Sequence, residues 1–184
     1  MPWIQTCDER PGTTRFLAKP TPSSNFFQHG WNPYSRFLDV DKVDLVLRRA
    51  KNGIPVYREI QVKFGKLYRV TNSWEQALFD VTSWRFFRED EFDRTGQLLF
   101  VAYVMSEDDE YRGDFFIFPV RDFSSIIRSA PVAGGKRRVY ISRSVDDPKR
   151  WMLRRQRRFS QSCDESCLDV SKYRRNFDVL ESGA

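Results

Sequence analysis

The sequence contains a single histidine, His29, and three cysteines, Cys7, Cys163 and Cys167, among 184 residues. One imidazole excludes a metal centre built from several histidines, and it argues against a serine-type triad, in which a histidine must serve as base between nucleophile and acid. His29 stands beside Gly30 and Trp31, and we read it as a packed or surface residue rather than a phosphate contact. An odd number of cysteines in a chain large enough to bury its own core does not form a disulfide framework, so free thiols are expected. Cys163 and Cys167 are closely spaced, but without a second cysteine pair or further histidines they cannot complete a four-ligand zinc site.

Long hydrophobic runs are also missing. The longest, Leu98 to Met105, has eight residues, whereas a helix needs about 20 to span a bilayer. The first twenty residues hold Asp8, Glu9 and Arg10 and no apolar stretch of the secretory kind, so a cytoplasmic location is expected. Gly134-Gly135-Lys136 lacks the earlier glycine and the following Ser/Thr of a phosphate loop and reads as a turn. Internal repeats and low-complexity blocks are absent.

Hydrophobic residues make up 40% of the chain and aromatics 15%, enough to bury one core, and the length fits a single domain with terminal extensions. The net charge of +6 and a sequence pI near 9.4 favour polyanionic partners through counterion release. The excess is uneven: Lys149, Arg150, Arg154, Arg155, Arg157 and Arg158 occur with no acid among them. That run reads either as a phosphate-tracking helix or as a solvated basic face.

Three segments follow from the patterning. Residues 1–24, rich in proline and without a sustained period, read as an irregular N-terminal arm. Residues 25–145 form an α/β core, beginning with a short helix over 25–31 that Gly30 and Pro33 stop. Residues 146–184 form a basic C-terminal extension, predicted to be helical because Asp146-Asp147-Pro148 places proline in a first turn.

Within the core, two β-rich runs, from Val43 and from Val56 to Lys63, flank Asn52-Gly53, the strongest local signal for a β-hairpin. A separate short run is read over 66–70. Ser73 before Trp74, Glu75 and Gln76 predicts a helix. Trp74, Phe79, Trp84, Phe86 and Phe87 fall in that helical region, where such a set packs a core more often than it stacks on bases. Leu98 to Met105 reads as a strand buried on both faces, with 114–120 as its neighbour across the acidic turn 107–110. A short helix over 123–128 and a strand over 137–142 complete the set.

The chemistry is concentrated in the hairpin. Glu59, Gln61 and Lys63 are two residues apart and project from one strand face, while Ile60 and Val62 enter the other. Asp44 interrupts the apolar run of the first strand, and pairing brings it to the same row. Mg²⁺ takes hard oxygen ligands, keeps several waters and is usually held by one or two carboxylates. Asp44 and the Gln61 carbonyl oxygen are the candidate ligands, with the Val62 carbonyl and Glu59 as further ones. Such a cation, Mg²⁺ or Mn²⁺, lowers the pKa of a bound water and neutralises phosphoryl charge. The Lys63 ammonium orients the water and stabilises the transition state.

These residues resemble the PD-(D/E)XK, or restriction-endonuclease-like, nuclease superfamily. Val43-Asp44-Leu45-Val46-Leu47, a hairpin turn and Glu59-Ile60-Gln61-Val62-Lys63 are similar to the branch that carries Gln-x-Lys in place of Glu-x-Lys. The resemblance runs from about Asn25 to Ser142. It implies a mixed central sheet flanked by helices, a metal-dependent endonuclease acting on DNA or, less often, RNA, and a domain of a size that often pairs to cut two strands. Two departures stand out: no proline precedes Asp44, and no glutamate occurs between Glu9 and Glu59, so Gln28 or Asn25 would replace the acid that many members take from a first helix. Two further readings stay open. In one the fold is a catalytically inactive module that binds nucleic acid or a protein, and in the other Asp44 is a structural acid paired with Arg48 or Arg58.

Overall fold

The computed structural model describes residues 26–35, 43–92, 99–106, 114–155 and 166–181. The N-terminal arm, Asn25, the acidic turn 107–110, Cys7, Cys163, Arg157 and Arg158 lie outside them. Ten strands are present among the described residues: β1 (Asn32–Ser35), β2 (Leu45–Lys51), β3 (Ile54–Arg69), β4 (Phe79–Phe87), β5 (Leu99–Ser106), β6 (Phe115–Pro119), β7 (Val132–Ala133), β8 (Lys136–Ser144), β9 (Trp151–Arg154) and β10 (Cys167–Asp169). Helices are few: α1 (Ser73–Gln76) is a single turn, and α2 (Val120–Ser129) has ten residues. No helix among the described residues is long and apolar enough to cross a membrane.

The hairpin forms as predicted. Asn52 and Gly53 both take positive φ, 52° and 78°, which the tight two-residue turn requires, and Lys51 pairs with Ile54 through to Leu45 with Ile60. The separate run expected over 66–70 is instead the continuation of β3, which is 16 residues long. Its first part pairs with β2, its middle runs parallel to β5, and its end pairs with β4. All other pairings are antiparallel. The sheet is therefore mixed but mostly antiparallel, and it is not flanked by helices in the way the α/β expectation required.

β5 is buried on both faces, as its unbroken apolar composition demands. Val101, Tyr103 and Met105 join Phe87, Phe118 and Phe123 in one core, under α2. Phe100, Ala102 and Val104 join Phe26, Trp31, Leu47, Ile60 and Phe177 in the other.

Two helix expectations are corrected. Phe79–Phe87 is a strand, because aromatic and β-branched residues suit a pleated surface better than a helix. Trp151–Arg154 is also a strand. The Asp147 carbonyl accepts from the Arg150 N–H at 2.9 Å, so Pro148 occupies the second position of a β-turn, which it suits as well as a helix start. Trp151 and Leu153 then face one core while Met152 faces another cluster with Val70 and Phe79, a period of two that no helix satisfies. Cys167 is disulfide-bonded, so the free-thiol expectation does not hold for it; its partner lies outside the described residues.

Candidate functional site

Pairing of Leu45 with Ile60 carries Asp44, one residue earlier, to the level of Gln61, and the Asp44 N–H donates to the Ile60 carbonyl at 2.9 Å. In β3, Gln61 and Lys63 sit beside Val101 and Tyr103 of β5, so they share the face that carries the α2 core. Asp44, Gln61, Val62 and Lys63 line one open cavity of about 500 Å³, together with Phe64, Arg85, Arg88 and Glu91. The convergence expected of the hairpin is thus present.

Each group has a defined state. The Val62 N–H donates to Asp44 Oδ2 at 2.6 Å, which fixes the carboxylate at the cavity rim. The alternative pairing of Asp44 with Arg58 is not formed: Arg58 donates to the carbonyls of Leu180 and Tyr57 instead, at 2.7 and 3.0 Å. Lys63 Nζ donates to Glu91 Oε1 at 2.8 Å, with both side chains largely buried, and lies 5.6 Å from the Phe92 ring centroid. The second Glu91 oxygen accepts from the Arg88 N–H at 3.3 Å. Gln61 is only 5% exposed, and its Oε1 is buried without a hydrogen-bond partner. Leaving such an acceptor unpaired costs about 1–3 kcal/mol, so this oxygen asks for an explanation.

Sequence reasoning missed Glu91, Arg85 and Arg88. Arg85 comes from β4, where its guanidinium donates to the Phe64 carbonyl at 2.6 Å, and Glu91 comes from the turn that follows β4. Three cations and two carboxylates line the cavity; Lys63 is paired with Glu91 and Arg88 with Asp90, at 2.8 Å each, whereas the Arg85 guanidinium donates to a carbonyl. Glu59 pairs with Val46 and does not line the cavity. Neither does Gln28; His29 is a surface residue whose ring stacks on Phe177 at 3.8 Å between centroids. Among the described residues no group of three or more His, Cys, Asp or Glu could hold a metal ion, so any cation here needs the Gln61 carboxamide and backbone or water oxygens besides the Asp44 carboxylate.

Two residues past Lys63, at Gly65, β3 is closely packed. A Cβ on Gly65 would stand 2.2 Å from Tyr103 Oη and 2.4 Å from Ser83 Oγ; those two hydroxyls are hydrogen-bonded at 3.1 Å. Burial pushes the Tyr103 hydroxyl up to about 12, so it stays neutral under the site. We expect Gly65→Ala to destabilise the protein by about 1–3 kcal/mol through overpacking, and by less when Tyr103→Phe removes the nearer hydroxyl. Urea unfolding midpoints of the single and double variants check this.

Among its described residues the basic run does not form a helix face. Arg154 is buried, its side chain 2% exposed and paired with Glu75, so it is a structural residue and not the phosphate contact expected of it. Burial follows from the strand, whose alternation turns Arg154 into the sheet. Arg150 lies 3.6 Å from Asp169, and Arg155 is exposed.

No family model matches the chain, and no curated protein matches it. Among solved structures the chain is similar to a bacterial homing endonuclease, I-Ssp6803I, at 15% identity over 78% of this chain and 79% of that one, with a TM-score of 0.37. A likeness at that level carries no argument for fold or function, which rest on the geometry above.

Proposed function

We propose that the chain is a divalent-cation-dependent nuclease that hydrolyses phosphodiester bonds in DNA, with Asp44, Gln61 and Lys63 as its working groups. The observation that carries this reading is the Gln61 carbonyl oxygen, buried at the cavity without a partner. A hard cation such as Mg²⁺ or Mn²⁺ would satisfy it, held by that oxygen and the Asp44 carboxylate with waters in the remaining positions. When bound, the cation supplies Lewis-acid activation of water and charge neutralisation at phosphorus.

The protein's own contributions are distinct. Val62 holds Asp44 in place through its N–H, and Glu91 holds Lys63 against the cavity wall. The Lys63 ammonium then faces the charge that develops on the phosphoryl oxygens as water attacks and the bond to the sugar oxygen breaks. Arg85 adds positive potential at the rim, where a phosphate backbone would run.

The test compares wild type with Gln61→Leu. If the carboxamide serves a cation, the leucine variant loses Mg²⁺-stimulated cleavage of single- and double-stranded DNA and gains up to about 1 kcal/mol of stability, because an unpaired buried acceptor has been removed. Retained cleavage, or a marked loss of stability, would overturn the ligand role. A second reading is favoured by the absence of a three-acid cluster among the described residues: an inactive module that binds nucleic acid without cutting it. It predicts salt-dependent binding and no turnover with either cation.

A further inference from the structure

The face of β3, β4 and β8 that points away from the α2 core is aromatic and basic. Tyr68 stacks on Trp84 at 6.1 Å between centroids, with 15° between the rings, and Phe86 meets Trp84 edge-on at 5.7 Å. Tyr68 and Phe86 are each 40% exposed and Phe64 is 56% exposed. The Arg138 guanidinium lies 4.1 Å from the Trp84 ring, 5.4 Å from Phe86 and 4.8 Å from Tyr140. Its Nε–H is buried without a hydrogen-bond partner, and among the described residues no carboxylate pairs with it. Lys66 adds a second cation, 5.9 Å from the Tyr68 ring. Trp84 and Phe86, expected to pack a core from a helix, lie on β4, which turns them outward.

We propose that this face binds single-stranded nucleic acid. Exposed rings on neighbouring strands, with a cation held over them, offer π surfaces to unstacked bases and positive charge to the phosphates between them. A duplex keeps its bases stacked on one another and cannot use the rings. An apolar protein surface would bury the rings but leave the Arg138 guanidinium without an anion, which the phosphates of a strand supply. Phe64 belongs to this face and also lines the cavity, whose Gln61 and Lys63 stand on the opposite face of β3. The proposal goes beyond the nuclease reading, and binding itself needs no catalysis.

The experiment therefore uses the full chain with EDTA present, so that a failure of cleavage and a failure of binding are read separately. Fluorescence anisotropy follows a labelled mixed-sequence oligonucleotide of roughly a dozen nucleotides, its duplex form, and heparin as a polyanion without bases. Wild type is expected to prefer the single strand to the duplex. Trp84→Ala lowers single-strand affinity about 10-fold or more while heparin affinity stays within about 2-fold. Tyr68→Ala, at a more exposed ring, shows the same selective loss and covers the case in which Trp84→Ala fails to fold. Equal affinity for both nucleic-acid forms, or an unchanged single-strand affinity in Tyr68→Ala, overturns the proposal and leaves the face to a protein partner.

Discussion

Asp44→Asn and Lys63→Met are each expected to lower metal-dependent cleavage about 100- to 1000-fold, with thermal unfolding close to that of wild type. Asp44 is exposed, and asparagine keeps a side-chain oxygen to accept from the Val62 N–H, so the loss tracks the missing charge and not the missing bond. Methionine keeps the Lys63 stem against Phe92 and removes the ammonium, so the effect should fall on kcat more than on KM, as befits a group that acts in the transition state. Glu91→Gln separates positioning from chemistry. The amide oxygen can still accept from Lys63, so a loss of about 10-fold or less is expected if Glu91 only holds the ammonium in place. Single-turnover rates across a Mg²⁺ titration check all three variants. A Lys63→Met protein that cuts at the wild-type rate would remove the site as described.

The part of this site legible in the sequence is the part made by local rules. Asn52-Gly53 fixes a two-residue turn, the turn fixes the register, and a period of two then carries Asp44, Gln61 and Lys63 to one face. Glu91, Arg85 and Arg88 were hidden because they arrive through pairing of the far end of β3 with β4, after the chain has passed through α1; no spacing in the sequence encodes that approach. Gly65 misled in a different way. It reads as a breaker between two short strands, yet β3 runs straight through it, since the space its missing Cβ leaves is taken by the Tyr103 hydroxyl. In the C-terminal region Asp146-Asp147-Pro148 is compatible with a helix start and with a β-turn, and only the pairing of β9 with β8 decides between them. A basic run is likewise silent about depth: Arg155 faces water, whereas Arg154, its neighbour, does not.

Arg154 gives the largest expected effect on stability. Its guanidinium is held by Glu75 at 2.7 Å and by Ser142 at 3.0 Å, and it lies over the rings of Phe79 and Tyr140 at 4.7 and 5.1 Å. Glu75→Ala takes away the carboxylate partner of a buried guanidinium, and breaking such a pair costs about 3 kcal/mol or more. Arg154→Met should cost less, because Glu75, at the sheet's margin on α1, is 14% exposed against 2% for its partner and can turn toward water. Combining the two is expected to recover much of the Glu75→Ala loss, since a methionine packs between the rings and no charge remains to be buried. Chemical denaturation of the two single variants and the double variant closes the cycle. An additive result would mean that the rings and Ser142, not the ion pair, hold β9 to the sheet.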